Sequence, residues 1–260
     1  IVSWREICTF VFVAACNLLL RFTRRGKVTP LPFLRNKLSM LGGGLIGLNW
    51  GIFVWAVESE RVVEASLGYF MNPLMNVFLG VVFLGEALRK AQWLAVTFAA
   101  AGVLWLTISL NAFPWVSLTL AISFALYGLI RKVAPASPLQ GLSVETSVLL
   151  IPAVAFVLLR GNASENLTSD TATVILILLS GAVTGIPLLL FASSAKRIPL
   201  SILGILQYIT PTIQFLLGVF AYSETFDSNR LIGYSIIWSG LVIFALDSFQ
   251  FASNQTSHEK

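Results

Sequence analysis

The sequence predicts an all-α, polytopic membrane protein. Three observations carry that expectation: a composition short of charge, a row of apolar windows each long enough to cross a bilayer, and basic residues confined to alternate connections. Of the 260 residues 57% are hydrophobic and only 11% charged, against about 25% charged in average soluble proteins. Mean hydropathy is +0.84. Seventeen basic and twelve acidic side chains cannot cover the surface of a water-soluble globule of 28.3 kDa, so the solvent is largely lipid.

Windows of about 20 apolar residues, the length that crosses the hydrocarbon core, occur at 4–22, 38–57, 65–85, 91–110, 114–131, 142–160, 173–195, 201–222 and 231–250. Only helices or closed barrels satisfy their backbone in lipid. These runs are continuous rather than alternating, which predicts nine helices. The connections are short and leave no room for a soluble domain. The tail 251–260 reads as a disordered cytoplasmic segment.

The basic residues set the expected orientation. Arg21, Arg24, Arg25, Lys27, Arg35, Lys37, Arg89, Lys90, Arg131, Lys132, Lys196, Arg197 and Lys260 fall on one side, and Arg5, Arg61, Arg160 and Arg230 on the other. The first side is therefore expected to be cytoplasmic, with the C-terminus inside and the protein in the inner (plasma) membrane. The window at 4–22 then begins outside. A chain starting in the cytoplasm needs one more helix before Ile1, ten in all. No cleavable signal peptide precedes the first window.

The same charge layout argues against nucleic-acid binding, because no basic face runs along one element. Cys8 and Cys16 lie about 12 Å apart along one helix, beyond disulfide reach, and form no metal site. The single histidine, His258, lies in the tail. No catalytic pair, metal site or cofactor is expected. The expected partners are a small-molecule substrate and the bilayer, with a homodimer left open.

A constant offset of 138 relates Asn72-Pro73 to Thr210-Pro211, Gly80-Val81 to Gly218-Val219, Glu86 to Glu224, Gly102 to Gly240 and Gly47 to Gly185. Five helix starts separate the copies, an odd number, so the repeats are expected to face opposite ways through the bilayer. Secondary transporters use such inverted repeats around a site at mid-membrane. The expected boundaries are 1–110 for the first repeat and 111–250 for the second.

Several stretches resemble the RarD branch of the EamA-like drug/metabolite transporter superfamily: the run 49–57 from Asn49-Trp50-Gly51, the run 65–74 through Tyr69, Asn72 and Pro73, Leu84-Gly85-Glu86, Gln92-Trp93, Tyr127 through Lys132, Glu145-Thr146, the run 187–191, and Gln207-Tyr208-Ile209-Thr210-Pro211. The resemblance covers nearly the whole chain in order. It implies ten helices in two five-helix repeats, a first helix absent before Ile1, and an inner-membrane permease loosely associated with chloramphenicol sensitivity. It supplies no firm substrate.

Within the spans, Pro73 cannot bond the carbonyl of Tyr69, nor Pro211 that of Gln207; both are expected to break their helices. Asn72 and Asn76 lie four apart on one helix face, and Thr210 and Gln214 are their mates. With Tyr69, Gln207 and Tyr208 they form a candidate substrate path; the alternative is packing kinks with amides bonding across helices. Asn49 reads foremost as an interhelical hydrogen bond, with Trp50 against lipid or core, and otherwise as substrate contacts. Gly42-Gly43-Gly44 and Gly47 admit a closely packed helix. Tyr127 closes a helix beside Arg131-Lys132 at the cytoplasmic edge. Glu145 reads as the partner of Arg131 or Lys132, and otherwise as a coupling site. Glu86 and Glu224 read as caps or bridges between connections.

These features point to a transporter of a small organic metabolite or drug working by alternating access. A membrane-embedded enzyme or a non-transporting structural membrane protein is the alternative.

Overall fold

A computed structural model describes residues 2–23, 37–109, 113–159, 171–213, 216 and 228–258. Gln214, Glu224, Gly218-Val219 and the basic residues at 24–35 lie outside the described residues. Among those described, regular structure is helical throughout, with no strand. The helices are α1 (Val2–Thr23), α2 (Lys37–Glu58), α3 (Val62–Leu84), α4 (Lys90–Ile108), α5 (Trp115–Val133), α6 (Pro138–Leu159), α7 (Thr171–Arg197), α8 (Leu200–Leu206) and α9 (Ser228–His258).

Seven of them, α2 to α7 and α9, are long and apolar enough to cross a membrane. Their outward faces carry bare apolar side chains, Leu159 at 87% and Phe249 at 76% exposure. Such surface is far too extensive for water. The chain is an integral, polytopic membrane protein. Two predicted windows fall outside the seven: α1, which carries Arg5 and Glu6 near its start, and the shorter apolar stretch Leu200–Ile213.

Local sequence explains the helix ends. Gly85 takes a left-handed backbone (φ 65°) that closes α3, and the Glu86 amide donates back to the Gly80 carbonyl at 3.0 Å, a six-residue closure that suits glycine. Gln92 caps α4 by accepting the Arg89 amide at 2.9 Å. At α6, Ser137 and Gln140 exchange hydrogen bonds across the first turn and Pro138 takes the first helical position, where its missing N–H costs nothing.

The two prolines behave differently. α3 runs uninterrupted through Pro73, contrary to the expected break. A proline removes one ladder bond from this 23-residue helix, and α8 packs closely alongside, a Cβ on Gly204 standing 2.7 Å from the Pro73 carbonyl. Around Pro211 the helix stops at Leu206, turns at Gln207–Tyr208 and resumes at 209–213. The Gln207 carbonyl, which Pro211 cannot serve, accepts the Thr210 amide at 3.1 Å instead. The expected disorder after Phe251 also differs: α9 stays helical to His258, since no Gly or Pro in that stretch stops it.

The chain forms two compact units, one of residues 1–48 and 127–197, the other of 49–126 and 198–260. Each unit draws helices from both halves of the sequence. In the first unit α1 packs on α6 and α7. A Cβ on Gly181 of α7 would overlap the backbone of Cys8, while Gly43 and Gly47 of α2 sit against Glu145 and Leu149 of α6. In the second unit α4 packs along α9 and α3 along α8, around a core of Leu67, Phe70, Met71, Ala99, Val103, Ala121, Tyr208 and Ile237.

Glu86 holds the start of α8. Its carboxylate accepts the amides of Leu200 (2.7 Å) and Ser201 (2.8 Å) and the Ser201 hydroxyl (2.7 Å). These amides have no intrahelical partner, and Pro199 at the cap supplies none. Glu86→Ala is expected to cost about 1–2 kcal/mol, read as a lowered melting temperature in detergent, with Glu86→Gln retaining part of the loss.

Candidate functional site

The second unit holds an open-sided cavity of about 180 Å³, lined by Asn49, Phe53, Ala65, Gly68, Tyr69, Asn72, Leu120, Phe124, Gln207, Thr210 and Pro211. Four segments build it, each with one face. Asn49 and Phe53 are one turn apart on α2, Leu120 and Phe124 one turn apart on α5. Ala65, Gly68, Tyr69 and Asn72 follow the i, i+3, i+4, i+7 pattern of a single face of α3. Gln207, Thr210 and Pro211 come from the interrupted stretch after α8.

Polar contacts fix this wall. Asn72 Nδ2 donates to Gln207 Oε1 at 3.0 Å, and Asn76 Nδ2 donates to the same oxygen at 2.7 Å. Asn49 Nδ2 donates to the Leu120 carbonyl and to Ser123 Oγ, both at 2.9 Å. α3 lies tight on α5: a Cβ on Gly68 would stand 3.1 Å from Leu120 Cβ, and Ser117 Oγ donates to the Glu64 carbonyl at 2.5 Å. The rings of Phe53 and Tyr69 meet edge to face, 5.9 Å between centroids.

Of the residues singled out in the sequence, the cavity brings together Asn49, Tyr69, Asn72, Gln207, Thr210 and Pro211. Asn76 is fully buried behind the wall and positions Gln207. Tyr208 points into the apolar core instead, because successive residues project about 100° apart around the backbone. Trp50 and Pro73 do not line the cavity either.

Tyr127 lies in the first unit, where it serves Glu145. The Glu145 carboxylate accepts Arg131 Nη1 at 2.9 Å and the Tyr127 hydroxyl at 3.1 Å. Both charged side chains are 1% exposed. Arg131 Nη2 donates further to the Pro138 carbonyl at 2.7 Å. Gly42 makes room: a Cβ there would stand 3.2 Å from Glu145 Oε1. Lys132, the other sequence candidate for Glu145, reaches the Ala195 carbonyl, while Lys196 reaches that of Ala134 at 2.6 Å.

The EamA-like transporter family matches residues 1–108 and 114–246. The RarD protein of Streptomyces exfoliatus is 42% identical over 258 residues, covering 97% of this chain and 81% of its own length. The RarD protein of Salmonella typhi is 40% identical, covering 95% and 85%. An uncharacterized transporter of Bacillus subtilis, YojE, is 39% identical, covering 99% and 88%. A solved crystal structure shares the fold at a TM-score of 0.67 and 18% identity, over 93% of this chain and 87% of that one.

The chain belongs to the EamA-like transporter family.

In this EamA-like transporter, sequence reasoning missed Phe53, Ala65, Gly68, Leu120 and Phe124 as cavity residues. For three of them a signal existed. Stepping back from Asn72 by helical spacing reaches Tyr69, Gly68 and Ala65, and stepping on from Asn49 reaches Phe53. Leu120 and Phe124 carry no polar flag, and their inclusion depends on how α5 packs against α2 and α3. Among the described residues no group of His, Cys, Asp and Glu is placed to hold a metal ion.

Proposed function

We propose that this transporter moves a small organic solute by alternating access, with the cavity beside the interrupted helix at Gln207–Tyr208 as its substrate site. One observation carries this reading. The polar face of α3 and the broken stretch around Pro211 meet in a single cavity, so carboxamides and a helix break sit where a solute would bind. Irregular backbone at membrane depth persists where it lines a cavity or is buried in protein, and transporters place such breaks at their sites.

Packing supports the inverted repeat. A Cβ on Gly102 would stand 2.7 Å from the Gly233 carbonyl and against Ile237; one on Gly240 would stand 2.6 Å from the Ala95 carbonyl and against Ala99. The offset of 138 that maps Gly102 on Gly240 also maps Ala95 on Gly233 and Ala99 on Ile237. Gly43 and Gly181, themselves 138 apart, also each lie against a neighbouring helix, Gly43 on Glu145 of α6 and Gly181 on Cys8 of α1. The helix ends support alternating crossings, with the basic side cytoplasmic in an inner membrane. Glu86 joins the end of α3 to the start of α8, Arg89 pairs with Asp247, and the Trp105 indole donates to the Asn229 carbonyl at the other end of α4. With the 4–22 and 201–222 windows counted, this arrangement has nine crossings.

The test is counterflow in proteoliposomes with amino acids, organic acids and drugs. Asn72→Ala and Gln207→Ala are each expected to lower flux about tenfold per folded protein; each also leaves a carboxamide of the cluster unpaired, which lowers the melting temperature by the equivalent of about 1–3 kcal/mol. Absence of protein-dependent flux for the whole panel would refute the proposal.

A further inference from the structure

The cavity has a hydrogen-bonding polarity as well as a shape. Gln207 Oε1 accepts from both Asn72 and Asn76, and Asn72 Oδ1 accepts from Asn76 Nδ2 at 3.4 Å. The carboxamide oxygens of Gln207 and Asn72 are thus engaged by neighbouring amides, while that of Asn76 is buried behind them without a partner. What remains is N–H: Gln207 lines the cavity, and its Nε2 has no partner among the described residues. Asn49 is poised the other way. Both hydrogens of its Nδ2 go to Leu120 and Ser123, which leaves Oδ1 as an acceptor. One cavity thus offers a carboxamide donor from the α8 stretch and a carboxamide acceptor from α2, with the rings of Phe53, Tyr69 and Phe124 between.

No Asp, Glu, Lys, Arg or His is among the described lining residues. An ion entering such a cavity would shed part of its water without a countercharge, which disfavours it. A neutral solute loses only hydrogen bonds that Gln207 and Asn49 replace. The volume, about 180 Å³, is close to the ~150 Å³ that takes a benzene ring and below the ~300–1,000 Å³ of drug-sized sites.

Resting on the transport reading of this same cavity, we propose that its substrate is an uncharged single-ring solute with adjacent C=O and N–H groups, of carboxamide or lactam chemistry. The corresponding carboxylate and the corresponding quaternary cation are rejected.

The test uses the full chain in proteoliposomes and three probes built on one ring: nicotinamide, nicotinate and the N-methylnicotinamide cation. Counterflow rates are taken above those of protein-free vesicles at neutral pH. Nicotinamide is expected to cross about tenfold or more faster than either ion. Gln207→Leu and Asn49→Leu each abolish that advantage, and Gln207→Glu shifts the preference to the cation, a change that loss of packing alone would not produce. The selection by charge is overturned if either ion crosses as fast as nicotinamide, or if Gln207→Leu leaves the nicotinamide rate unchanged. Flux of amino acids or organic acids without flux of nicotinamide also overturns it. In each of these cases transport itself still stands. No protein-dependent flux of any probe or panel solute overturns both readings together.

Discussion

Glu145→Leu is expected to destabilise the protein by about 3–5 kcal/mol, read as a large fall in melting temperature. The ion pair that Glu145 forms with Arg131 is 1% exposed on both sides. Removing the carboxylate strands a guanidinium left with its hydrogen bond to the Pro138 carbonyl, and it also takes away the acceptor of the Tyr127 hydroxyl. Arg131→Leu is expected to cost as much, for the converse reason. Burying the pair was itself costly, so the double variant Glu145→Leu with Arg131→Leu should regain most of what either single change loses. Melting temperatures of the four proteins in one detergent check this. A double variant as unstable as the sum of the singles would mean that the two side chains do not act as a pair.

The helix pair α4 and α9 gives the second large effect. Gly240→Val and Gly102→Val are each expected to cost about 3 kcal/mol or more, because the atoms in the way are backbone and cannot rotate aside. The obstacles are the Ala95 carbonyl at 2.6 Å and the Gly233 carbonyl at 2.7 Å. Gly44→Ala and Gly51→Ala serve as controls: among the described residues no atom lies within 4 Å of a Cβ at either place, so both should melt within a few degrees of the parent. Small residues let membrane helices approach closely, where packing and not hydrophobic exclusion drives association. Equal effects at all four glycines would show that helix propensity, and not the α4–α9 contact, sets the cost.

The glycines also show how legible the fold was. Gly42-Gly43-Gly44 and Gly47 were readable as a close-packing face; that the partner is α6, and that Gly44 itself packs on nothing, could not be read from spacing. The basic pair Arg131-Lys132 flagged a helix end. Which of the two meets Glu145 was decided by direction: Arg131 turns inward toward α6, while Lys132 reaches the end of α7. Pro73 and Pro211 look alike in sequence and differ in the backbone: α3 continues through Pro73, whereas the helical ladder is interrupted at Gln207–Tyr208 just before Pro211. Tyr127 and Tyr208 were polar aromatics at plausible depth, and both proved to be buried supports, one of Glu145 and one of the core.

The sequence by itself determined the class, the windows, the expected sidedness and the polar faces. These follow from composition and helical period, which lipid enforces on every segment separately. The tertiary structure decided which faces meet. It paired α1 with α7 and α4 with α9, and it set Gln207 beside Asn72 and Asn49 beside Leu120. It thereby turned scattered carboxamides into a cavity wall with donors and acceptors in fixed places. Those pairings depend on the shapes of side chains brought together from 71 or more positions apart, information that no local pattern carries.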